Sequence, residues 1–518
     1  MARVLIVEDD PGQLEMRKLI LEQAGYEVLT AQSTAEALDR LPGCQVVLMD
    51  LQLPTPEEGM RLIDAAKGQA RVIVLSGGAP ASELPVDEFL TKPCSSKKLL
   101  ETIARFCVLL LICVLSMRAA TFTVAKQGEV AAELDLRAPG TDWSIPGHEA
   151  KLIAVLVDGT VQQQIMVYAG ADTFSYRIFL GALAPGAHRL DISGEGVEFI
   201  GARFHEDSSD VLAHAPVLYA RANTVGEHTD IPLVVYCERL AEDGGPFLQY
   251  TVIFSNEDGG TSTRALMARW GRTTDVEYVY RVFLAPDGAA RRATIQVKDH
   301  KEVEFHGKRF GTHPLLMPIT DNNMIGEADA SIPIRYQIAP ILADLTGHSR
   351  EEVMDQHPIT YKLMALELKR EDKLRPFGKV DGEKVSDPRN YLYFEMELAR
   401  SEASVATLVR LKGDSHWYSS HLGHADFAIR TWKRNSAESP HGFVRTTVEL
   451  PPGTKPERIA EIGFECLLVD KAADSACRVE AVTKCFFLDR DYTPDLNVWT
   501  MSAPREIPAG SIWTSALK

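Results

Sequence analysis

The sequence predicts an α/β doubly wound parallel sheet at its N-terminal end, followed by mainly antiparallel β-sandwich-like domains. Apolar strand-like runs alternate with helical patterns up to residue 106, as they do in parallel sheets. After residue 120, short β-branched and aromatic runs are separated by Gly, Asp and Pro turns, which is typical of antiparallel sandwiches. The length of 518 residues, with 45% hydrophobic and 25% charged residues, provides for several globular domains.

The elements of the parallel sheet follow in order along the chain. The run RVLIVED is apolar from Val4 to Val7 and ends in acids, as expected of a strand that is buried on both faces. The segment GQLEMRKLILEQAG follows with helical spacing and a stop signal at Gly25. Later strands are predicted in YEVLTA, CQVVLMDLQLP, RVIVLSGG and DEFLTKP, and later helices in STAEALDRL, PEEGMRLIDAAKG and SSKKLLETIARF.

Polar side chains are concentrated where these strands end. The carboxyl ends of strands in a doubly wound sheet meet at one edge, which is where such folds place their functional groups. Clustered carboxylates repel one another unless a cation lies among them, and hard oxygen ligands suit Mg²⁺. The pattern predicts a Mg²⁺ site at which a carboxylate attacks phosphorus while an ammonium group neutralises the phosphoryl oxygens. The strand ends carry Glu8, Asp9, Asp10, Asp50, Ser76 and Lys92.

Residues 1–106 resemble the receiver domain of two-component response regulators, of the chemotaxis-regulator type. The resemblance rests on the acidic pair in VEDD and on the segments MDLQLP, VLSGG and TKP, which occur in this order. It implies that Asp50 is the phosphoacceptor. It also implies that Mg²⁺ is bound by Glu8, Asp9, Asp50 and the backbone carbonyl of Gln52.

The same resemblance assigns the remaining site residues. It implies that Ser76 and Lys92 contact the phosphoryl group, that Phe89 is the aromatic switch residue, and that Pro93 follows Lys92 through a cis peptide bond. One segment departs from the family. GGAPASELPVDEFLT is too short for a full helix and a strand, and its prolines oppose a helix. Helix four is therefore expected to be deleted or reduced to a turn. The sequence then does not predict the family's usual output surface, of which this helix is a part.

An apolar stretch, FCVLLLICVLSM, follows the receiver-like region. About 12 apolar residues are too few for a transmembrane helix, which needs ~20, but they fit the core of a signal peptide. Three interpretations stay open: a receiver joined to a secreted protein, a short signal-anchor, or an extension of the last receiver helix that packs against the later domains. The receiver is expected in the cytoplasm. The β-rich region is then cytoplasmic, exported or tethered, with membrane contact through residues 106–117.

The rest of the chain is predicted to be rich in strands, with one helical stretch at about 337–372 that Ser349 and Glu352 could cap. Paired His205 and His214 could bind a metal ion, but solvated loops are the better interpretation because the helical spacing of a zinc site is missing. The predicted domains are 1–106 (receiver), 106–120 (export-like segment or linker), 121–210 (β-sandwich-like), 211–325 (β-rich), 326–385 (mixed, with the helix) and 386–518 (β-rich).

The cysteines of the C-terminal part bear on the compartment. If this part is exported, its cysteines could form two disulfides; if it is cytosolic, they are small buried residues. The sequence does not choose between these outcomes. The four cysteines are Cys237, Cys466, Cys477 and Cys485.

The leading hypothesis is a response regulator that is phosphorylated by a sensor histidine kinase and has an atypical β-rich output region, not an enzyme. The alternative is an exported β-sandwich protein, fused to a receiver, that binds or hydrolyses a surface ligand such as a polysaccharide. A third hypothesis is a cytoplasmic scaffold for protein interactions. No nucleic-acid partner is expected, because the net charge of −17 repels polyanions and no basic patch is evident. The ligand of the β-rich region is unknown.

Overall fold

The computed structural model divides the chain into two compact units. One is Met1–Ala119 with Asp191–Glu195, and the other is Ala120–Leu190 with Gly196–Lys518. The structure describes residues 3–23, 26–51, 55–67, 69–77, 86–92, 94, 98–100, 102–103, 106, 118–221, 224, 230–242, 245–257, 259–328, 332, 334–399, 403–430, 442–468, 476–495 and 497–517.

The first unit contains a five-stranded parallel sheet in the order β2-β1-β3-β4-β5. This order and the flanking helices confirm the predicted doubly wound fold. The strands are β1 (Arg3–Val7), β2 (Glu27–Ala31), β3 (Val46–Asp50), β4 (Arg71–Ser76) and β5 (Glu88–Thr91). The helices are α1 (Pro11–Gln23), α2 (Thr34–Arg40) and α3 (Pro56–Ala66), and residues 98–100, 102–103 and 106 are also helical.

Both faces of this sheet are covered, which explains the continuous apolar strands. Alternate residues of β1 contribute to two separate hydrophobic cores, Leu5 and Val7 to one and Val4 and Ile6 to the other. Local signals set the helix starts: the side chains of Ser33 and Thr55 accept hydrogen bonds from backbone amides in the first turns of α2 and α3.

The next two sheets along the chain are ordered β10-β7-β12 and β6-β11-β8-β9, and most of their residues belong to the second unit. Their strands are β6 (Arg118–Val124), β7 (Gly128–Arg137), β8 (Lys151–Val157), β9 (Thr160–Val167), β10 (Phe174–Leu183), β11 (Gly186–Ser193) and β12 (Glu198–Asp207). The short helix α4 (Asp210–Ala213) follows, with Ser209 as its N-cap.

Two further sheets form the middle of this unit, ordered β19-β20-β13-β22, with β21 paired to β20, and β18-β17-β16-β15-β14-β23. Their strands are β13 (Val217–Tyr219), β14 (Pro232–Glu242), β15 (Gly245–Phe254), β16 (Asp275–Leu284), β17 (Ala290–Val297), β18 (Lys301–Glu304), β19 (Arg309–Phe310), β20 (His313–Pro318), β21 (Ile325–Glu327), β22 (Arg335–Tyr336) and β23 (Ile341–Leu342). The helices α5 (Thr263–Trp270), α6 (Glu352–Gln356) and α7 (Ile359–Arg370) complete it.

The last two sheets are ordered β28-β24-β30-β31 and β26-β25-β29-β32, with β27 paired to β25. Their strands are β24 (Tyr391–Leu398), β25 (Ala403–Leu411), β26 (Trp417–Ser419), β27 (Ile429–Arg430), β28 (Phe443–Glu449), β29 (Ile459–Leu468), β30 (Cys477–Phe486), β31 (Arg505–Ile507) and β32 (Ile512–Ala516). Strands from both sheets contribute Phe394, Val405 and Phe464 to one buried core. The predicted antiparallel character is confirmed, since only short parallel pairs such as β13 with β20 interrupt it among the described strands.

The cysteines adopt a mixture of the two outcomes left open by the sequence. Cys466 and Cys477 form a disulfide with a Cα–Cα distance of 5.5 Å. Cys237 and Cys485 are buried free thiols. Burial raises the pKa of Cys237 to about 12, so this thiol stays protonated and behaves as a small apolar residue.

The helical stretch predicted at 337–372 is wrong over its first part. Residues 341–342 form β23, and the helices begin only at Glu352. Ser349 does not cap α6, because its backbone amide and its hydroxyl both donate to Glu395 Oε2 at 3.0 Å. A buried carboxylate outside the helix therefore takes the donors that the local pattern assigned to the cap.

Part of the export-like segment, residues 107–117, lies outside the described residues. Within the described part of the chain, no helix is long and apolar enough to cross a membrane. The segment that should contain helix four falls mostly on residues 78–85, which also lie outside the description. The domain boundaries predicted within the second unit remain predictions.

Candidate functional site

The parallel register brings three carboxylates to one edge of the first unit's sheet. Val7 lies opposite Met49, so Glu8 and Asp50 follow on adjacent strands. The Glu8 backbone amide donates to the Ala31 carbonyl at 3.1 Å, which fixes its position beside β2. Potential ligand atoms of Glu8, Asp9 and Asp50 all lie within 4.8 Å of one another. Glu8 is buried, Asp50 is half-buried and Asp9 is exposed, so the group opens to solvent on one side.

Lys92 supplies a cation to this group. Its ammonium Nζ lies 2.5 Å from Asp50 Oδ2 and 3.3 Å from Glu8 Oε2. The backbone fixes Lys92 as well, because Ser76 pairs with Thr91 in the β4–β5 register and the Lys92 amide donates to the Ser76 carbonyl at 2.7 Å. The structure therefore places Ser76, a buried residue, next to the strand end that carries Lys92.

Asp10 has a different place from its acidic neighbours. Its side-chain Oδ1 accepts the Gln13 amide at 2.9 Å, and its carbonyl accepts the Leu14 amide at 3.0 Å. Asp10 is thus positioned as a cap at the start of α1. The carboxylates that share the candidate site are the other three.

The structure adds Arg17, which the sequence analysis did not single out. Its guanidinium donates to Glu8 Oε2 and, through NH2, to Gln13 Oε1 at 2.7 Å. A signal was available in the sequence: Leu14, Arg17 and Leu21 are spaced three and four residues apart, which places them on one helical face. Because both leucines are buried, a charge at this spacing predicts a buried ion pair.

Of the three remaining predicted site residues, the structure describes Phe89. Phe89 is half-buried on β5 and packs against the core that contains Leu5 and Val7. Gln52 and Pro93 lie outside the described residues.

Gly59 allows the helix α3 to approach the backbone just after Asp50 closely, because a Cβ at this position would lie 2.8 Å from the Leu51 carbonyl oxygen.

The donor set fits Mg²⁺ chemically. Mg²⁺ prefers carboxylate and carbonyl oxygens in octahedral geometry at about 2.0–2.1 Å, and it usually keeps several waters. Carboxylate oxygens that converge within 4.8 Å and open to solvent meet this requirement. The residues present therefore fit the metal ion that the predicted chemistry needs.

A second group of potential metal ligands is found among the described residues, at His348, Glu352 and Glu395. Here the carboxylates are already bound by cations: Lys484 pairs with Glu352, and Arg445 NH2 lies 3.1 Å from Glu395 Oε2. This arrangement is accounted for as an ion-pair network. The candidates His205 and His214 belong to neither group of ligands found in the described part of the chain.

Comparison with known proteins agrees with this geometry. Residues 4–104 match the family described as the response regulator receiver domain.

Residues 4–104 are a receiver domain. Receiver domains are phosphoacceptor domains of two-component signalling, and similar regions occur in regulators and in sensor kinases. The region is 38% identical over 112 residues to the transcriptional regulatory protein GlrR of Escherichia coli (strain K12), covering 20% of this chain and 25% of that protein. It is 29% identical over 119 residues to the sensor protein GacS of Pseudomonas syringae pv. syringae, covering 20% of this chain and 13% of that protein.

Among solved structures, the receiver domain is similar to a CheY-like response regulator receiver domain protein from Methanospirillum hungatei JF-1. The two are 32% identical with a TM-score of 0.19, and the match covers 20% of this chain and 90% of that one. The chain spans only 13% and 25% of the lengths of GacS and GlrR. These similarities concern the receiver domain and leave the strand-rich unit to be interpreted from its own structure.

Proposed function

We propose that this chain is a response regulator that accepts a phosphoryl group on Asp50 from a sensor histidine kinase in the presence of Mg²⁺. One observation carries the proposal: Lys92 Nζ lies 2.5 Å from Asp50 Oδ2, inside a group of carboxylates at the carboxyl ends of the strands. An ammonium group in this position neutralises negative charge on Asp50 and on a phosphoryl group that approaches it.

The transfer can be written with its bonds balanced. A carboxylate oxygen of Asp50 attacks the phosphorus of a phosphohistidine in line, and an acyl phosphate forms as the P–N bond breaks. The electron pair of that bond returns to the imidazole nitrogen, which takes a proton from solvent. Lys92 holds its positive charge against the phosphoryl oxygens, and the Ser76 hydroxyl donates a hydrogen bond to one of them.

The metal site is proposed to consist of carboxylate oxygens of Glu8, Asp9 and Asp50 with the backbone carbonyl of Gln52. Mg²⁺ bound there supplies positive charge that offsets the charge of the phosphoryl group. Glu8 and Asp9 would hold the ion close to Asp50, because potential ligand atoms of the three residues lie within 4.8 Å of one another. The prediction that follows is a requirement for Mg²⁺ in labelling.

The response to phosphorylation is proposed to run through β4 and β5. Ser76 is drawn toward the phosphoryl group, and Phe89, which is half-buried on the next strand, changes its packing. Pro93 is proposed to follow Lys92 through a cis peptide bond. The strand-rich unit is the proposed output region, and its partner or ligand is not assigned.

The test is phosphoryl labelling of the full chain with acetyl phosphate and Mg²⁺. The wild-type chain is expected to take up one acid-stable, base-labile phosphoryl group per molecule, and Asp50→Asn is expected to take up none. Asp64→Asn is the matched control, because it changes an exposed carboxylate of α3 away from the site. Labelling of Asp50→Asn at the wild-type level would show that the site assignment is wrong.

A second candidate function is favoured by the disulfide between Cys466 and Cys477. Disulfides persist in oxidising compartments, so this bond favours an exported strand-rich protein that binds or hydrolyses a surface ligand such as a polysaccharide. In that case the receiver domain does not regulate it. Alkylation of the natively expressed protein before any reductant is added distinguishes this function from that of a cytoplasmic regulator.

A further inference from the structure

Arg17 is a buried cation at the metal-binding end of the receiver domain. Its side chain is only 8% exposed, and it forms an ion pair with Glu8, whose side chain is 1% exposed. The helix α1 cannot easily withdraw it, because Leu14 and Leu21 anchor the same helical face in the core. Gln13, one turn earlier, accepts a hydrogen bond from the guanidinium at 2.7 Å. The arginine is thus held in place on three sides.

The ion pair changes the charge of the site before any metal ion binds. Glu8, Asp9 and Asp50 provide three negative charges, and Lys92 with Arg17 provides two positive charges. With lysine alone the group would carry a net charge of −2, which a divalent cation neutralises. With the arginine present, half of that neutralisation is supplied by the protein itself.

The pair also occupies one of the two carboxylate oxygens of Glu8. Glu8 Oε2 accepts from the guanidinium of Arg17 and lies 3.3 Å from Lys92 Nζ. A divalent cation that approaches Oε2 must therefore displace a buried charge-assisted hydrogen bond. One that approaches the other oxygen of Glu8 still faces the repulsion of two nearby cations.

We propose that Arg17 is an internal counter-cation that competes with Mg²⁺ for Glu8 and raises the Mg²⁺ concentration that the receiver domain needs. This inference rests on the metal site of the proposed function, and it makes Arg17 a positioning residue for the metal ligand Glu8. Its consequence is that the metal ion is held mainly by Asp9 and Asp50 while Arg17 stays on Glu8.

The experiment is a calorimetric titration of the full chain with MgCl₂, using Arg17→Met as the test variant. The dissociation constant of Arg17→Met is expected to be about tenfold lower than that of the wild type, which is the smaller end of the effect of one close charge on a carboxylate. Lys18→Met is the matched control, because it removes an equal charge from the same helix at an ion pair with Glu15 on the surface. Its dissociation constant is expected to stay within about twofold of the wild type, since exposed charges are screened. Asp9→Asn removes one of the proposed metal ligands, so any Mg²⁺ binding by this variant measures the background from cation sites elsewhere in the chain.

Two further variants guard against a loss of folding. Gln13→Ala removes the neutral hydrogen bond that holds the guanidinium and is expected to lower the dissociation constant in the same direction, by a smaller factor. Arg17→Lys keeps the charge and is expected to keep weak binding. Thermal melting with and without Mg²⁺ shows whether each variant is folded.

If Arg17→Met, Gln13→Ala and the wild type bind Mg²⁺ equally above the Asp9→Asn background, the inference is overturned and the proposed function stands. If neither the wild type nor Arg17→Met binds Mg²⁺ above that background, the proposed metal site itself is wrong.

Discussion

At the scale of single residues, burial decides which charges have a defined role. Lys92 and Arg17 interact strongly with Asp50 and Glu8 because these two carboxylates are largely withdrawn from solvent. Charges that are withdrawn from solvent are screened much less than exposed charges. The strand-rich unit contains the opposite case, a group of acids in which Asp275 is buried and Glu257 and Glu277 are half-buried. Burial, and secondarily a neighbouring carboxylate, raises the pKa of Asp275 and of Glu257 to about 8, and burial raises the pKa of Glu277 to about 7.

This acidic group predicts a stability that depends on pH. The pKa values are higher in the folded state than the ordinary values of 3.8 and 4.5, so the folded state binds more protons between about pH 4 and pH 8. The contribution of these acids to stability is therefore present at low pH and is lost as the pH rises through this window, by on the order of 1 kcal/mol per pH unit for each acid. Asp275→Asn keeps the neutral form and should make the slope shallower.

Tryptophan fluorescence during urea unfolding measures this effect. All six tryptophans, from Trp143 to Trp513, belong to the strand-rich part of the sequence, so the signal reports on that unit. The difference in unfolding free energy between pH 5.5 and pH 8.5 should be smaller in Asp275→Asn than in the wild type. Equal slopes in the two proteins would show that Asp275 is ionised at the same pH in both the folded and unfolded states.

At the scale of elements, strand register assembles the candidate site, and one close helix approach supports it. The helix α3 packs so tightly after β3 that a Cβ on Gly59 would lie 2.8 Å from the Leu51 carbonyl oxygen. Leu51 directly follows Asp50, so a shift here reaches the site. The atom in close contact is a backbone oxygen, which cannot move aside as easily as the end of a flexible side chain.

Gly59→Ala is therefore expected to destabilise the receiver domain by about 1–3 kcal/mol, the usual cost of overpacking. It should also slow phosphoryl labelling, because α3 or the segment after Asp50 must move. Gly77→Ala serves as the control for stability, since nothing lies within 4 Å of a Cβ at Gly77. Calorimetric unfolding of the full chain checks both variants. Equal transition temperatures for the two would contradict the close contact.

The elements also show how far sequence patterns reach. Buried strands such as β1 and β3, and the site residues at their ends, follow from continuous apolar runs and the geometry of parallel sheets. Patterns failed where a distant partner decides. Ser349 binds Glu395 instead of capping a helix, and Arg17 finds its partner Glu8 across nine residues. The helix α5 was missed because its eight residues lie within a region of strand-like texture, although Ser262 caps it.

At the scale of the whole molecule, the chain joins a receiver domain to a second unit with its own sheets, cores and disulfide. The prediction that no nucleic acid binds still rests on the net charge of −17, which repels polyanions. The redox state of Cys466 and Cys477 distinguishes between the two compartments proposed for the second unit. An oxidised pair favours export, whereas a reduced pair favours a cytoplasmic regulator.

Alkylation of natively expressed protein, tagged at Lys518, tests this point. The protein is denatured with iodoacetamide present, before any reductant, and its peptides are mapped by mass. Under the exported-protein hypothesis, Cys466 and Cys477 are protected while Cys237 and Cys485 are alkylated, and the tagged product is shorter than the full chain. A full-length cytoplasmic product in which all four cysteines are alkylated would contradict export.

The central claim is that Asp50 accepts a phosphoryl group in the intact chain, and mapping of the modified residue tests it most directly. The full-length protein is incubated with acetyl phosphate and Mg²⁺, reduced with borohydride to convert an acyl phosphate to an alcohol, and digested for mass spectrometry. The account predicts that the side chain at position 50 alone is reduced, and that chelation of Mg²⁺ abolishes the product. Reduction at another carboxylate, or no reduction in folded protein with Mg²⁺ present, would contradict it.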